Sequence, residues 1–156
     1  MARSASLTYS TSASRLALGF VAAFLATLTF HQIGVEVLHL LGVTPGTPYD
    51  TAPVPPFGVP RVISLAFWGG VWGFVFVLFE PWFVRSPGGY WLAAIVFGAI
   101  FPTGVSWFVV SPLKTGAIAP VFSWPRIIIG PIVNGLWGLG TALFLGVLTG
   151  WRGRPG

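Results

Sequence analysis

The sequence predicts an all-α membrane protein of four transmembrane helices, and three observations predict it. Of 156 residues, 54% are hydrophobic and only 7% charged, where a soluble domain carries roughly 25% charged residues. Mean hydropathy is +0.85. The apolar residues gather in four long runs separated by short polar or proline-rich segments. A soluble fold cannot hide this much apolar surface behind a charged exterior. In lipid the same side chains face acyl chains.

The runs are Leu16 to Leu41, Val62 to Phe79, Tyr90 to Val110 and Ile127 to Leu148. At a rise of about 1.5 Å per residue, each crosses a hydrocarbon core roughly 30 Å thick, allowing for tilt. The second run is the shortest and gains length from Glu80 to Phe83 at the interface. The first follows a polar, serine-rich, basic tail (1–15) that mimics a signal peptide. His31 and Gln32 close its apolar stretch with no small-x-small cleavage site before them, so the expectation is an uncleaved first helix with a short disordered tail.

Six prolines (Pro45, Pro48, Pro53, Pro55, Pro56 and Pro60) crowd the segment from Gly42 to Pro60. Proline blocks regular helix and strand, so this loop should be extended, irregular and packed over the outer end of the bundle. Lys114 to Pro125 is its shorter counterpart.

Orientation follows from Lys and Arg in the short loops. Arg3, Arg15, Arg85, Arg152 and Arg154 fall on one side, and Arg61, Lys114 and Arg126 on the other. The balance places both termini in the cytoplasm. Tyr90, Trp91 and Trp151 then lie at the inner interface and Trp124 at the outer one. A net charge of +5 in a soluble chain would point to nucleic acid. Here the cations sit in loops and ends, so topology and anionic headgroups account for them and no nucleic acid partner is expected. Cysteine is absent, which excludes disulfides, thiolate metal sites and a cysteine nucleophile.

The most specific feature is an internal repeat. Phe57-Gly58-Val59-Pro60-Arg61-Val62-Ile63 reads against Phe122-Ser123-Trp124-Pro125-Arg126-Ile127-Ile128, at an offset of 65 residues. Gly70-Val71-Trp72-Gly73 matches Gly135-Leu136-Trp137-Gly138, and Leu78-Phe79 matches Leu143-Phe144. The expected fold is therefore one domain over 1–156, made of two helical hairpins at about 16–79 and 90–148. Each hairpin contains two spans, so both copies enter the membrane in the same direction and form a parallel repeat with its axis along the membrane normal.

The repeated Pro-Arg suits helix entry, because proline lacks an N–H that would be unpaired there anyway. Arg61 and Arg126 are headgroup anchors by snorkelling, or a symmetric pair of cations facing an anionic ligand or partner. Gly69, Gly70, Gly73, Gly135 and Gly138 are helix-packing residues, because small residues let backbones approach closely. They serve contacts within the chain or in an oligomer. Asn134 is expected to hydrogen-bond between helices.

Polar residues inside a membrane are candidates for function. His31, Gln32, Glu36 and His39 share the first helix, and at about 100° per residue Gln32, Glu36 and His39 lie on one face while His31 turns away. They are candidates for ligand binding or proton handling, or else outer-interface anchors. Glu36-x-x-His39 occurs in dimetal carboxylate bundles, but those need a second such motif and two further glutamates. Two histidines on one helix do not bracket a haem. No metal, cofactor or catalytic residue is therefore expected, and no catalytic triad, phosphate loop or nucleotide fingerprint is visible.

The hairpin with His31, the turn Leu41-Gly42-Val43-Thr44-Pro45 and the Gly70–Gly73 helix resembles the YagU-like small inner-membrane proteins of bacteria. The resemblance covers mainly residues 16–79. It implies a bacterial inner-membrane location and a link to acid tolerance, and it carries over no catalytic residues. The leading expectation is a non-enzymatic inner-membrane protein acting by helix packing, as an accessory subunit or a homo-oligomer. The alternatives are a small channel or transporter and, third, a metal- or haem-dependent redox protein resting on His31, Glu36 and His39.

Overall fold

The computed structural model describes residues 12–116, 124 and 126–150. Residues 1–11, 117–123, Pro125, the side chains of Thr115 and Arg126, and residues 151–156 lie outside the described residues.

Among the described residues, four helices are long and apolar enough to cross a membrane. Helix α1 covers Ala13–Leu40. Ser12 caps its start, its side chain accepting from the Arg15 N–H at 3.3 Å. Within α1 a π-turn, Thr27–His31, joins the α-helical stretches Ala13–Ala26 and Gln32–Leu40. Helix α2, Arg61–Arg85, runs beyond Phe79 and through Pro81. It stops where Ser86 turns extended, because Pro87 disfavours helical backbone at the residue before it. Helix α3 is Gly89–Val105, the π-turn Ser106–Val110 and Ser111–Thr115, and Gly116 ends it at φ 71°. Helix α4 is Arg126–Leu148.

The helices form a ring in which α1 packs on α2 and α4, and α3 packs on α4 and α2. The inward face of α2 mixes small residues with aromatic rings and one acid. Along α2 the buried positions are Val62, Ala66, Gly70, Gly73, Phe76, Val77, Glu80 and Phe83, a helical period. The opposite face carries Ile63, Phe67, Trp68, Phe74, Leu78 and Trp82, all exposed. A helix apolar on every side suits an apolar solvent, and along the inward stripe Ala66, Gly70 and Gly73 are the small residues that admit a neighbouring helix.

Two seams bring backbones together. A Cβ on Gly73 would collide with the Gly19 carbonyl and lie 2.8 Å from the Ala23 methyl. A Cβ on Gly138 would collide with the Ala94 carbonyl and lie 3.3 Å from Gly98 Cα. The first seam joins α1 to α2 and the second α3 to α4. Between the pairs the interior is filled by aromatic rings. Phe76 makes edge-to-face contacts with Phe83, Phe97 and Trp137 at centroid distances of 5.0, 5.6 and 6.2 Å.

The proline-rich segment contains a short regular element that proline counting did not anticipate. Strands β1, Pro53–Val54, and β2, Val59–Pro60, pair antiparallel with Pro53 opposite Pro60. The ladder stops there, because proline offers no N–H to extend it. The loop also caps α2. The Arg61 and Val62 N–H groups donate to the carbonyls of Ala52 and Asp50, each at 2.9 Å.

Candidate functional site

The polar group on α1 is organised by the π-turn. A π-turn closes i→i+5 bonds and leaves helix carbonyls available to other donors. Tyr49 of the proline-rich loop donates its hydroxyl to the Leu28 carbonyl at 2.9 Å. The Gln32 side-chain amide lies 3.4 Å from the Thr27 carbonyl. Gln32 is only 4% exposed, and its Oε1 accepts the Tyr49 N–H at 2.9 Å. Tyr49 takes φ 54°, a left-handed backbone that turns its N–H and ring back toward α1. Gln32 and Tyr49 thus strap the loop onto the helix.

The candidates do not meet as one cluster. His31, expected to face away, has Nδ1 3.4 Å from the Gln32 amide nitrogen. Glu36 and His39 do not pair. The His39 Nδ1–H donates to the Thr44 carbonyl at 3.2 Å and so holds the first turn after α1. Glu36, half-buried, makes no hydrogen bond or ion pair with any described residue. Among the described residues no three acids or histidines converge as metal ligands would.

Arg61, 60% exposed, pairs with Asp50 at 3.2 Å in the loop that caps its own helix. The matching side chain of Arg126 lies outside the described residues. The packing candidates all point inward. Gly73 and Gly138 form the seams already given. Gly70 lies against the Phe20 ring, Gly69 beside Thr27 and Trp137, and Gly135 in ordinary contact with Ile95 and Ala99. The Asn134 amide donates to Thr103 Oγ1 at 2.9 Å and ties α4 to α3. The Trp137 indole N–H donates to the Ala23 carbonyl at 3.1 Å and ties α4 to α1.

The polar centre that sequence reasoning missed lies at the other end. Glu80 is fully buried. Its Oε2 accepts from Arg15 Nε at 3.0 Å and Nη2 at 2.6 Å, and its Oε1 from the Tyr90 hydroxyl at 3.1 Å. The Arg15 side chain is 18% exposed. Three helices therefore meet on one carboxylate. Arg15 had been counted only as a topological charge and Glu80 only as an interfacial one. The available signal was an acid and an arginine at the same end of two consecutive spans.

The fold thus belongs to the class of helical bundles whose spans are long and apolar enough to cross a membrane, with polar side chains tying helix to helix. No family model, curated protein or solved structure matches the chain.

Proposed function

We propose that the chain is a non-enzymatic, multi-pass protein of the bacterial inner membrane that acts by helix packing, as an accessory subunit of a membrane complex or as a homo-oligomer. Both termini face the cytoplasm in this reading. The observation that carries it is the filled interior. Phe76 is enclosed by rings from three helices, and the buried polar side chains Thr27, Gln32, Glu80, Thr103 and Thr141 each have a hydrogen-bond partner in the protein. A conduction path needs polar lining, so the described interior favours packing over transport. The partner-facing surface in this proposal is the strapped outer loop, which presents Phe57 at its tip with 86% exposure.

We read the two hairpins as duplicated copies related by an axis along the membrane normal. The repeat places Gly73 against Gly138, and each sits at a close backbone approach within its own hairpin, a place Gly138 shares with Gly98. Both first helices also carry one π-turn in their second half.

Cross-linking in native membranes, followed by mild-detergent purification and mass spectrometry, tests the function. The expected result is one stoichiometric partner or a defined homo-oligomer. A monomer that carries ions or solutes across liposomes would overturn the proposal in favour of transport.

A further inference from the structure

Helices α2 and α3 meet without a glycine seam. Among the described residues, no glycine of either helix comes against the backbone of the other. Rings stand between them instead, with Phe79 5.4 Å from Phe97 and 5.5 Å from Phe101 between centroids. The rings hold the two helices apart and leave a groove of about 360 Å³ that opens on the surface of the bundle. Its floor is Phe83 and Phe97, both buried, and its rim is Trp82, Leu92 and Val96, all exposed. Ala93 also lines it, and so short a side chain leaves the floor clear. Ser86 and Gly88, in the turn between the helices, line one end. From Leu92 to Phe101, at a rise of about 1.5 Å per residue, the groove runs about 14 Å along α3. That is the depth of one leaflet, half of a core roughly 30 Å thick.

A cation stands at the turn end of the groove. Arg85 directly precedes Ser86 and lies one helical turn after Trp82, so spacing puts it on their side of α2. It is exposed and, among the described residues, has no ion pair or hydrogen bond. A second groove lies between α1 and α2 at Leu16, Phe20 and Phe74. The described cation beside that one, Arg15, is already engaged by Glu80. We propose that the α2–α3 groove binds one anionic phospholipid, with an acyl chain along Phe83 and Phe97 and the phosphate at Arg85. The apolar lining, the opening toward lipid and the leaflet-deep length fit an acyl chain. The unpaired guanidinium fits the headgroup, since it can give two parallel N–H bonds to phosphate oxygens. Basic sites between transmembrane helices recognise acidic headgroups in this way. A zwitterionic headgroup carries its own cation and gains less at Arg85. The proposal rests on the chain spanning a bilayer, and not on the choice between accessory subunit and homo-oligomer.

Native mass spectrometry of the full-length protein, delipidated in detergent and titrated with phosphatidylglycerol or phosphatidylcholine of the same acyl chains, reads the site. One phosphatidylglycerol per chain should be retained, several-fold more strongly than phosphatidylcholine. Ala93→Leu fills the groove from its floor and Val96→Trp covers it from the rim, and each should lower phosphatidylglycerol retention several-fold. Arg85→Gln should keep chain binding and bring the two lipids to parity. Leu65→Trp, at an exposed position toward the other end of α2, should change neither. If Ala93→Leu does not fold, Val96→Trp decides, because Val96 is exposed. Equal retention of both lipids by the wild type, undiminished retention in Val96→Trp, or a preference that survives Arg85→Gln would overturn the proposal. An equal loss in Leu65→Trp would do the same, since it marks lipid bound anywhere around the bundle. Release of the protein from membranes by alkaline carbonate would refute the spans themselves, an outcome separate from failure of the lipid site.

Discussion

Gly73 and Gly104 should respond in opposite directions to the same change, alanine. Both sit in helices, and alanine there is favoured over glycine by roughly 0.5–1 kcal/mol on backbone entropy alone. A Cβ on Gly104 meets nothing within 4 Å, so Gly104→Ala should gain about that amount. At Gly73 the methyl would lie 2.7 Å from the Gly19 carbonyl carbon and 2.8 Å from the Ala23 Cβ. Carbon atoms pack at about 3.5–4.0 Å, so α1 and α2 must separate by roughly 1 Å, and a gap of that size forfeits a quarter to a half of each contact it opens. The obstacle is backbone, which cannot rotate away. Overpacking of this kind costs about 1–3 kcal/mol, more than the entropy gain. Gly138→Ala should behave like Gly73→Ala, since its neighbours are the Ala94 carbonyl and Gly98. Thermal unfolding in mild detergent, followed by helical circular dichroism, reads all three. A Gly73→Ala protein that melts at or above wild type would refute the seam. A large difference between Gly73→Ala and Gly138→Ala would count against corresponding hairpins.

Three further outcomes follow from the ties at the two ends. Tyr49→Phe removes the hydroxyl bond to Leu28 and should cost about 0.5–1.5 kcal/mol, while Gln32→Leu strands the Tyr49 N–H and should cost about 1–3 kcal/mol; hydrogen exchange across 41–60 should speed up in both, and unchanged exchange would show that the strap does not hold the loop. Glu36→Gln should leave insertion and melting unchanged, because Glu36 has no described partner to lose. If Glu36→Gln and His39→Ala also retain partner binding in the cross-linking assay, the α1 cluster is no functional site. Reporter fusions after Arg85 and after Gly156 should both read cytoplasm and a fusion near Pro53 the opposite compartment, and the reverse pattern would invert the orientation.

The spans were legible because hydropathy is a bulk property of each run. Their ends were less so. The second run reads as Val62 to Phe79 with Glu80 to Phe83 as an interfacial extension. Glu80 instead brings its charge into a buried ion pair, and the helix continues to Arg85. The inward stripe was legible where glycine marked it, at Gly69, Gly73 and Gly138. The polar face on α1 was drawn for an ideal α-helix, and the π-turn at Thr27–His31 changed its register. Nothing in Thr-Leu-Thr-Phe-His announces a π-turn. It is held by Tyr49, eighteen residues beyond His31 in the sequence, and single-helix periodicity carries no such information. Glu80 was hidden for the same reason, since its partners Arg15 and Tyr90 belong to other helices.

These long-range ties have a common physical logic. Inside lipid, burying an apolar side chain gives no advantage over leaving it exposed, so helices are sorted by fit and by polar groups with nowhere else to bond. The described bundle uses each device in a separate place. Glycine seams set the spacing within each hairpin, at Gly19 with Gly73 and at Gly98 with Gly138. Side-chain bonds join α4 to its neighbours at Trp137 and Asn134. The loop strap holds α1 at its π-turn, and the ion pair holds its first turns. Helix α1 is thus held near its start by Arg15, in its middle at Ala23 and the π-turn, and at its end by His39, although a π-turn is the kind of irregularity at which helices bend. A π-turn fastened on both sides acts as a fixed offset rather than a hinge. It directs Gln32 toward Tyr49, whereas a regular helix would carry that side chain about 100° further round.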